Sequence, residues 1–573
     1  MARLKYQPSP TAHQVLIKGR IIAPEETPQH MFERVVDALF AVEATMGIPA
    51  AETEQAKIQF AQFMAEKTFT PGTPTLTNAG REGYEHSALC SCALIPVDLR
   101  DRVASSKMIK AYYQQNMGSG FDLTPYADPL SLLIWLNDLA ASETKTGRYD
   151  RYIGNMANLH VAHPRIRDFI EAKTARRLTH FNLSVIVNDA FMEAAKRQES
   201  FSMMDGSEIP AYELLKLMAQ SAWTSGDPSI LNLERMNKDN PLVSIAPYVS
   251  APPCAEMGLS EGETCQFAYI NISKFVTHDG IDYEKLGAVT RVVTRALDNA
   301  VEIGLGNFPH PKSTEIARLK RKIGIAASGI ADTLLFYDLP YDSDEARQLA
   351  RDILSFINYT SKQASLELAE QRGSCEAMTT REGKGYYQAY LERRFGVRTN
   401  TVTPDQWKQL ARHIRTTGYL RNICTTALPP AARVSILMDA SAGIEPFFGI
   451  PANVGEMRPS MTDFVRRHAP ERVDTILNQA AAEGTFQHVD LPDQLRECLN
   501  TAKEISALGH LKMVAALVGT GGVVDEAASK TVNLPNNATL DDILNIFLLA
   551  HELGLKNISV YRDGSYEDQP IKL

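Results

Sequence analysis

Short apolar runs alternate with long amphipathic helical patterns between about residues 68 and 450, and this alternation constrains the fold more than any other feature of the sequence. A helix between two apolar strands returns the chain to the same end of a sheet, so the pattern favours parallel strands covered by helices. We therefore predict an α/β fold for this region. The apolar runs are FNLSVIV (181–187), FAYINIS (267–273) and IGIAASGIA (323–331), and the clearest helical patterns are 283–304 and 343–372.

Both ends of the chain carry mainly helical patterns. Residues 28–46 and 52–67 place apolar side chains at i, i+3 and i+4, the spacing of one helix face. Beyond residue 455, we predict helices at 461–482, 491–507 and 538–553, followed by a short strand in NISVYRDG. The predicted regions are an N-terminal helical region (1–67), the α/β region (68–455) and a C-terminal helical region that completes its surface (456–573).

Charge and cysteine content narrow the class of protein. The net charge of −9 at pH 7 argues against general binding to nucleic acid or to an anionic membrane. No apolar stretch has the form of a signal peptide or a membrane span, so we expect a cytoplasmic protein. The seven cysteines are odd in number and scattered, unlike a secreted disulfide framework, and no CxxC pair or HExxH sequence predicts a metal site.

Three of the seven cysteines have no chemical partner nearby in the sequence. A lone cysteine is more often a small buried hydrophobic residue than a catalyst, and we interpret Cys375, Cys424 and Cys498 in this way. Cys254 differs, because Glu256 follows it at i+2 in the segment SAPPCAEM. On an extended segment these two side chains share a face, which suits one-electron or acid–base chemistry on a bound molecule.

Two further cysteines adjoin predicted strands. Gly258 and Gly262 predict a loop after Cys254, which would place Cys254 at a hairpin tip and Cys265 at the start of the strand CQFAYINI. Cys92, in SALCSCALI, also opens an apolar, strand-like run. These three cysteines are therefore the candidates for chemistry.

Several longer motifs run through the chain in one order. They are FTPGTPTLTNAG (69–80), QNMGSGFD (115–122), HPRIRDFIEAK (163–173), FNLSVIVNDAFMEA (181–194), KRKIGIAASGIADTL (320–334) and SAGIEPFFG (441–449). In these motifs the chain resembles the large, catalytic subunit of ribonucleotide reductases, and most closely the adenosylcobalamin-dependent branch (class II). The resemblance implies a ten-stranded α/β barrel of two antiparallel halves, with a central finger loop that carries a radical cysteine. It also implies thiyl-radical reduction of ribonucleotides to 2′-deoxyribonucleotides, with adenosylcobalamin as the radical source.

The resemblance implies a role for each of four residues. Cys254 matches the cysteine that becomes a thiyl radical and abstracts the 3′-hydrogen of the substrate, and Glu256 matches the carboxylate that handles the 3′-hydroxyl proton. Cys92 and Cys265 match the pair that reduces the 2′-carbon as water leaves and that ends as a disulfide. These residue types suit the roles, because a carboxylate exchanges a proton near neutral pH and a dithiol supplies two electrons by closing a disulfide.

The resemblance also implies contacts to the substrate. Thr73 and Ser91 match positions that contact it, and Gly118, Ser119 and Gly120 match the glycine-rich turn beside it. Taken without the family, these residues fit an ordinary turn or strand cap equally well.

One departure from the family pattern lies beside the radical cysteine. The family has Asn-x-Cys-x-Glu, with an asparagine that hydrogen-bonds the ribose hydroxyls, whereas this chain has Pro252 at that position. Proline has neither a side-chain donor nor a backbone N–H, and an aimed hydrogen bond contributes strongly to a transition state. We therefore expect impaired loss of water unless a nearby residue, Thr264 or Gln266, supplies a replacement donor.

A second departure lies in LPPAARVS (428–435), where the family has the phosphate loop Pro-Thr-Gly-Ser/Thr-Ile-Ser. Ala431, Ala432 and Arg433 replace Thr, Gly and Ser/Thr, so two hydroxyl donors are lost and a guanidinium is gained, while Ser435 is kept. Arg433 either binds a phosphate or carboxylate through two hydrogen bonds or points into solvent.

The C-terminal sequence bears on turnover. The printed chain ends in DGSYEDQPIKL, without the cysteine pair that usually re-reduces the active-site disulfide, so the resemblance implies an external, thioredoxin-like dithiol reductant. The ending also lacks the neighbouring tyrosines of class I enzymes and a glycyl-radical motif, in keeping with the adenosylcobalamin-dependent branch.

The segment TGRYDRYIGNMANLHVAHP resembles the loop that relays the identity of a bound nucleotide effector. Tyr152 and Ile153 stand where the family has arginines, so the sequence leaves effector control open. It also leaves open whether the protein is a monomer or a homodimer.

Three functions are compatible with the sequence. The first is a working adenosylcobalamin-dependent ribonucleotide reductase. The second is a radical enzyme on the same barrel that acts on a different substrate, in line with Pro252 and the altered phosphate loop. The third is a paralogue that binds a nucleotide and does no chemistry, against which the retained Cys254, Glu256, Cys92 and Cys265 argue.

Overall fold

Short strands form a closed ring at the centre of the fold. The computed structural model describes residues 4–145, 153–175, 178–394 and 399–565. Strands that are buried on both faces are typical of parallel sheets covered by helices, and several of these strands are buried along nearly their whole length. The strands are β1 (Phe69–Pro71), β2 (Cys92–Leu94), β3 (Gly118–Asp122), β4 (Asn155–His160), β5 (Asn182–Ile186), β6 (Ser200–Ser202), β7 (Glu208–Pro210), β8 (Ser229–Leu231), β9 (Thr264–Cys265), β10 (Phe267–Asn271), β11 (Val276–Thr277), β12 (Gly280–Ile281), β13 (Gly324–Ser328), β14 (Thr531–Leu534) and β15 (Asn557–Arg562).

Parallel neighbours make up two halves of the ring. In the first half, β2, β3, β4, β5 and β8 follow one another, each parallel to the next. The second half begins with the consecutive strands β9 and β10 and continues to β13, which is parallel to β10. Parallel bridges from Ile325 to Thr426 and from Leu428 to Ala528 extend it to the segment before β14, and β14 is parallel to β15.

The two halves meet along antiparallel seams. β15 is antiparallel to β8, and β2 is antiparallel to β9, while β1 lies in line with β2 and pairs antiparallel with β10. With β1 and β2 counted as one position, and β9 and β10 as another, the ring closes after ten strand positions. This geometry confirms the predicted ten-stranded α/β barrel of two antiparallel halves.

Helices cover the outside of the barrel, and the N-terminal ones pack on its first strand. The ring of Phe60 meets that of Phe69 edge to face, with centroids 4.9 Å apart. The helices as far as the last strand of the first half are α1 (Pro10–Lys18), α2 (Pro28–Ala41), α3 (Ala50–Ala65), α4 (Thr73–Asn78), α5 (Arg102–Tyr113), α6 (Pro129–Lys145), α7 (Ile166–Ile170), α8 (Ala172–Ala175), α9 (Asp189–Arg197) and α10 (Ala211–Ser225). The later ones are α11 (Leu233–Lys238), α12 (Tyr283–Leu305), α13 (Pro311–Lys320), α14 (Ile330–Phe336), α15 (Asp344–Arg372), α16 (Arg381–Arg394), α17 (Pro404–Thr417), α18 (Ala432–Leu437), α19 (Pro459–His468), α20 (Val473–Glu483), α21 (Asp493–Cys498), α22 (Ala507–Val518) and α23 (Leu540–Glu552).

Two predicted C-terminal helices are shorter than expected. The pattern at 461–482 is divided between α19 and α20, because Pro470 has no N–H to continue the helix. The pattern at 491–507 contains only α21, and Ser506 then caps a new helix, α22, by accepting the N–H of Gly509 at 3.0 Å. The division into three regions remains a prediction, and residues 456–573 contribute the strands β14 and β15 as well as helices.

None of the helices within the described ranges is both long and apolar enough to span a bilayer.

Candidate active site

Cys92 and Cys265 lie opposite each other across the seam between the barrel halves. They are cross-strand partners in the β2–β9 pair, and their residues are 6% and 1% exposed. The thiol of Cys265 also donates to the carbonyl oxygen of Cys92, with Sγ 3.6 Å from the oxygen. Directly opposed residues have Cβ atoms about 5 Å apart, and a disulfide needs about 4 Å. A small shift of these strands therefore allows the two sulfurs to bond.

Burial keeps the second of these thiols protonated. Loss of solvent raises the pKa of Cys265 well above its usual value, and the neighbouring Cys92 and the charge of Glu256 raise it further. At neutral pH Cys265 therefore carries its proton. A protonated thiol is the form that can deliver hydrogen to a substrate.

A hairpin between β8 and β9 carries the third cysteine. Ser250 and Leu259 form an antiparallel bridge at its base, and the Leu259 N–H donates to the Ser250 carbonyl oxygen at 2.8 Å. At its tip, the Ala255 N–H donates to the Pro252 carbonyl oxygen at 2.9 Å and closes a turn. Cys254 lies in this turn and is exposed, as the glycine pattern predicts for a hairpin tip.

The tip is not extended, and in this respect the sequence interpretation was wrong. Ala255 adopts a left-handed conformation with a φ of 54°, so Cys254 and Glu256 do not follow the alternation of a strand. Cys254 is exposed, whereas Glu256 is 3% exposed. The cause is local, because two prolines restrict the chain before the cysteine and the Pro252 carbonyl binds back to Ala255.

Gly118 is the point at which the hairpin tip meets the cysteine pair. A Cβ atom placed on this glycine would lie 2.9 Å from the sulfur of Cys92 and 3.3 Å from Cγ of Pro253. Two residues further along β3, a Cβ on Gly120 would lie 2.4 Å from the carbonyl oxygen of Ala251. Glycine at both positions therefore lets the hairpin pack against β3, and the predicted glycine-rich turn is a strand.

Ser119 points away from this contact. It is fully buried, and its hydroxyl donates to Oδ1 of Asn155 at 2.5 Å. Neighbouring side chains on a strand alternate between its faces, so the face shared by Gly118 and Gly120 is not the face of Ser119. The Ser119 hydroxyl is thus engaged with Asn155, and its contact with the substrate remains a prediction.

Thr73 and Ser91 flank the cysteine pair on the other side. Gly72 and Ser91 donate their N–H groups to the carbonyl oxygens of Phe267 and Cys265, at 2.8 and 2.9 Å, because β1 and β2 run in line along one edge. A Cβ on Gly72 would lie 3.7 Å from the hydroxyl oxygen of Ser91. Thr73 and Ser91, both half-buried, are therefore brought together beside Cys92.

The altered phosphate loop lies next to the same edge. The hydroxyl of Tyr269, in β10, donates to the Pro430 carbonyl oxygen at 3.0 Å. Arg433 is exposed and can reach a ligand. Ser435 is buried, and its hydroxyl donates to the Ala432 carbonyl oxygen at 3.0 Å within α18. This hydroxyl donates within its own helix, and its contact with the substrate remains a prediction.

Thr264 and Gln266, the predicted replacement donors, bind each other rather than the hairpin tip. The side-chain amide of Gln266 donates to the sulfur of Cys90 at 2.9 Å and to the hydroxyl of Thr264 at 3.2 Å. Both residues flank Cys265 on alternate positions of the strand, so their side chains lie on the face opposite to its thiol.

Charged residues that the sequence analysis did not single out hold the base of the hairpin. The carboxylate of Glu526 accepts the Gly258 N–H at 3.2 Å and the Tyr248 hydroxyl at 2.7 Å. The next residue, Ala527, donates its N–H to the Glu256 carbonyl oxygen at 3.0 Å. The segment before β14 therefore binds both arms of the hairpin.

Two lysines balance two buried carboxylates, Glu526 and Glu263. Lys322 donates to the Gly258 carbonyl oxygen at 2.6 Å and lies 3.3 Å from Glu526 and 3.2 Å from Glu263. Lys320 pairs with Glu263 at 2.9 Å, and each lysine nitrogen lies within 5 Å of the centre of the Tyr248 ring, at 4.7 and 4.3 Å. The signal for this cluster was the KRKIG sequence, but the acidic partners are distant in the chain.

Three cysteines without a predicted chemical role lie in the core of the protein. Cys375, Cys424 and Cys498 are buried, which confirms their interpretation as small core residues. Tyr152, where the family has an effector arginine, lies outside the described residues.

Comparison with known proteins points to one family. Residues 125–561 match the family described as ribonucleotide reductase, barrel domain, and residues 7–84 match the one described as ribonucleotide reductase, all-alpha domain. The chain is 31% identical over 544 residues to the vitamin B12-dependent ribonucleoside-diphosphate reductase of Mycobacterium tuberculosis, covering 90% of this chain and 73% of that protein. It is 28% identical over 541 residues to the protein of the same description from Thermoplasma acidophilum, covering 88% and 65%.

A solved structure shares the fold. The Actinobacillus ureae class Id ribonucleotide reductase alpha subunit superposes with a TM-score of 0.75 at 17% identity, covering 97% of each chain.

Proposed function

Because the chain belongs to the ribonucleotide reductase large-subunit family, we propose that it reduces ribonucleotides to 2′-deoxyribonucleotides by thiyl-radical chemistry that depends on adenosylcobalamin. One observation carries the proposal: the tip of the hairpin that bears Cys254 and the sulfur of Cys92 both lie next to Gly118, and Cys265 is the cross-strand partner of Cys92. An exposed thiol at a loop tip and two opposed thiols at a strand seam are the arrangement that this chemistry needs.

The residues present fit the cofactor. All seven cysteines lie within the described residues, and Cys254 alone is exposed, so a radical source can reach this thiol and not the reducing pair. When bound, adenosylcobalamin supplies the radical that removes the hydrogen atom of this thiol. We assign the contact with its apolar corrin face to large side chains that remain exposed on the segment leading into the hairpin, namely Val243, Ile245 and Val249.

Cys254 and Glu256, both on the hairpin, carry out the first steps of the proposed reaction. The thiyl radical of Cys254 takes the hydrogen atom from the 3′-carbon of the ribose, which leaves a carbon radical and restores the thiol. Glu256 accepts the 3′-hydroxyl proton, for which a carboxylate is suited at neutral pH. Because Glu256 is buried at 3% exposure, its charge acts on the substrate with little screening by water.

The reducing pair completes the reaction. The 2′-hydroxyl leaves as water, and the two protons and two electrons that reduction requires come from the thiols of Cys92 and Cys265, which close to a disulfide. Cys254 then returns its hydrogen atom to the 3′-carbon, and Glu256 returns the proton to the 3′-oxygen. Each turnover therefore consumes two thiols and yields one deoxyribonucleotide and one water, and an external dithiol such as a thioredoxin-like protein must reopen the disulfide.

A second candidate function follows from the two departures. The carboxamide that the family uses near the ribose is absent at Pro252, and the phosphate loop has Ala431 and Arg433 in place of two hydroxyl residues. A radical enzyme with a substrate other than a standard ribonucleoside diphosphate or triphosphate fits these changes, with the exposed Arg433 binding an anionic group.

Substrate and cellular setting belong to the same proposal. We assign substrate contacts to Thr73, Ser91, the backbone of 118–120 and Arg433. The cysteines form no disulfide within the described residues, which fits a reducing compartment and a cytoplasmic protein. The proposal also includes binding of a nucleotide effector. It includes assembly either as a monomer or as a homodimer.

The test is a substrate panel. The protein is incubated with adenosylcobalamin, dithiothreitol and each ribonucleoside diphosphate or triphosphate, and deoxyribonucleotides are separated by chromatography. We expect product from at least one nucleotide and none from Cys254→Ala. Formation of cob(II)alamin without deoxyribonucleotide would favour the second function. The absence of both, with an unchanged thiol count, would overturn both functions.

A further inference from the structure

We propose that Asn182 is a positioning residue for the radical cysteine, an inference that rests on the proposed function. Asn182 is the first residue of β5 and is exposed, and its side-chain amide donates to the Pro253 carbonyl oxygen at 3.1 Å. Pro253 directly precedes Cys254. The hydrogen bond therefore crosses from the barrel wall to the residue that sets the direction of the thiol.

The peptide geometry explains why one hydrogen bond has this effect. The Pro253 carbonyl and the nitrogen of Cys254 belong to one planar peptide unit. The ring of Pro253 restricts φ, so ψ of Pro253 is the soft rotation that remains before Cys254. A donor held on the carbonyl oxygen fixes this rotation, and with it the direction in which the thiol leaves the backbone.

The donor is itself held rigidly. Asn182 pairs with Met156 in the parallel ladder of β4 and β5, so its backbone moves with the barrel wall. Close by, a Cβ on Gly154 would lie 3.5 Å from Cβ of Pro253, which shows that the hairpin tip packs against the start of β4. A polar group on a strand positions a loop more accurately than one on another loop.

The hairpin tip is held without the asparagine that the family has at the position of Pro252. Pro252 contributes no side-chain donor, but it stiffens the tip and accepts the Ala255 N–H that closes the turn. Asn182 supplies a carboxamide from across the barrel, and this amide binds the Pro253 carbonyl oxygen rather than the substrate. Thr264 and Gln266, the nearer alternatives in sequence, are engaged with each other and with Cys90.

Two substitutions test the proposal by activity. Asn182→Ala removes the donor, and Asn182→Asp keeps the size but presents carboxylate oxygens that cannot donate at neutral pH. Loss of one such hydrogen bond lowers kcat by about tenfold, with KM for the nucleotide unchanged, and Asn182→Asp lowers it further because its charge repels the carbonyl. Asn478→Ala, on an exposed helix face, is the matched control and leaves kcat unchanged. A wild-type kcat in both Asn182 variants would overturn the proposal.

A thiol-labelling measurement separates positioning from a general structural role. Because Cys254 is the exposed cysteine, Ellman's reagent labels it first in the folded protein. We expect Asn182→Ala to change the labelling rate of Cys254 at least twofold, while the buried Cys92 and Cys265 stay as slow as in the wild type. Faster labelling of all three would mean that the barrel has loosened, and would overturn the positioning role. This measurement needs no turnover, so it remains decisive even if no deoxyribonucleotide is formed and the proposed function fails.

Discussion

The proposed reducing pair and the proposed radical tip hold their cysteines by different means. Cys92 and Cys265 lie on strands, and the register of the β2–β9 ladder alone brings them opposite each other. Cys254 lies in a turn whose shape depends on two prolines, a left-handed Ala255 and a donor from another strand. The pair is buried, whereas the tip is exposed.

The difference reflects what each site must do. Two thiols that close and reopen a disulfide need a short, repeatable separation, which a ladder of backbone hydrogen bonds supplies. A thiol that must meet a cofactor and then a substrate needs access, which a strand buried on both faces does not allow. The hairpin provides this access, and the Glu526–Lys322 pair holds its base in the barrel wall.

The largest effect is expected at the tip. Cys254→Ala removes the sulfur that we propose abstracts hydrogen, so deoxyribonucleotide formation should fall on the order of a thousandfold or more. The fold should remain intact, because an exposed side chain contributes little to packing. Activity assays with circular dichroism check both statements. Cys498→Ala, which changes a cysteine remote from the site, is the control, and comparable loss in it would contradict the assignment.

Substitution in the proposed reducing pair should stop the reaction at a different step, the supply of electrons. In Cys265→Ser the pair can no longer form a disulfide, so reduction stops although Cys254 is still present. After a single turnover without external reductant, the wild type should show two fewer titratable thiols, and the variant should show no loss. Thiol titration of the denatured protein measures this. An equal loss of thiols in the variant would mean that another pair supplies the electrons.

Gly118→Ala would disturb both the cysteine pair and the hairpin tip, because Gly118 lies next to each of them. The added methyl group would lie 2.9 Å from the sulfur of Cys92 and near Pro253, so either the thiol or the hairpin tip must move. A displacement of a fraction of an ångström costs about tenfold or more in kcat. Gly385→Ala, where a Cβ meets nothing within 4 Å, is the matched control. Steady-state kinetics measures kcat for the two variants. Equal kcat values would show that the packing of Cys92 and Pro253 at Gly118 does not affect function.

The smallest effect concerns pH. Burial raises the pKa of Cys265 well above the ordinary thiol value of 9.0, so the unfolded chain loses this proton at a lower pH than the folded protein. Stability from this group is thus complete below pH 9 and declines as the pH rises, by about 1 kcal/mol per pH unit. Urea unfolding at pH 8 and pH 10 measures the decline, which should be smaller in Cys265→Ser. An identical decline in the two proteins would refute the link.

Local patterns in the sequence were sufficient for much of the fold. Alternating apolar runs and helical patterns identified β5, β10 and β13 and the long helices α12 and α15, because side-chain periodicity follows directly from the geometry of each element. Gly258 and Gly262 likewise indicated the loop that carries Cys254. The predicted helix at 461–482 failed at Pro470, where the loss of one N–H outweighs the apolar spacing.

The sequence by itself determined which residues can do chemistry here, since a thiol, a carboxylate and a dithiol are set by residue type. It also determined the parallel α/β class, through periodicity. Only the tertiary structure decided that Cys92 faces Cys265, that Ser119 points away from the site, and that Asn182 reaches Pro253. These contacts join residues far apart in the chain, and barrel closure and strand register, which no local pattern encodes, determine which of them meet.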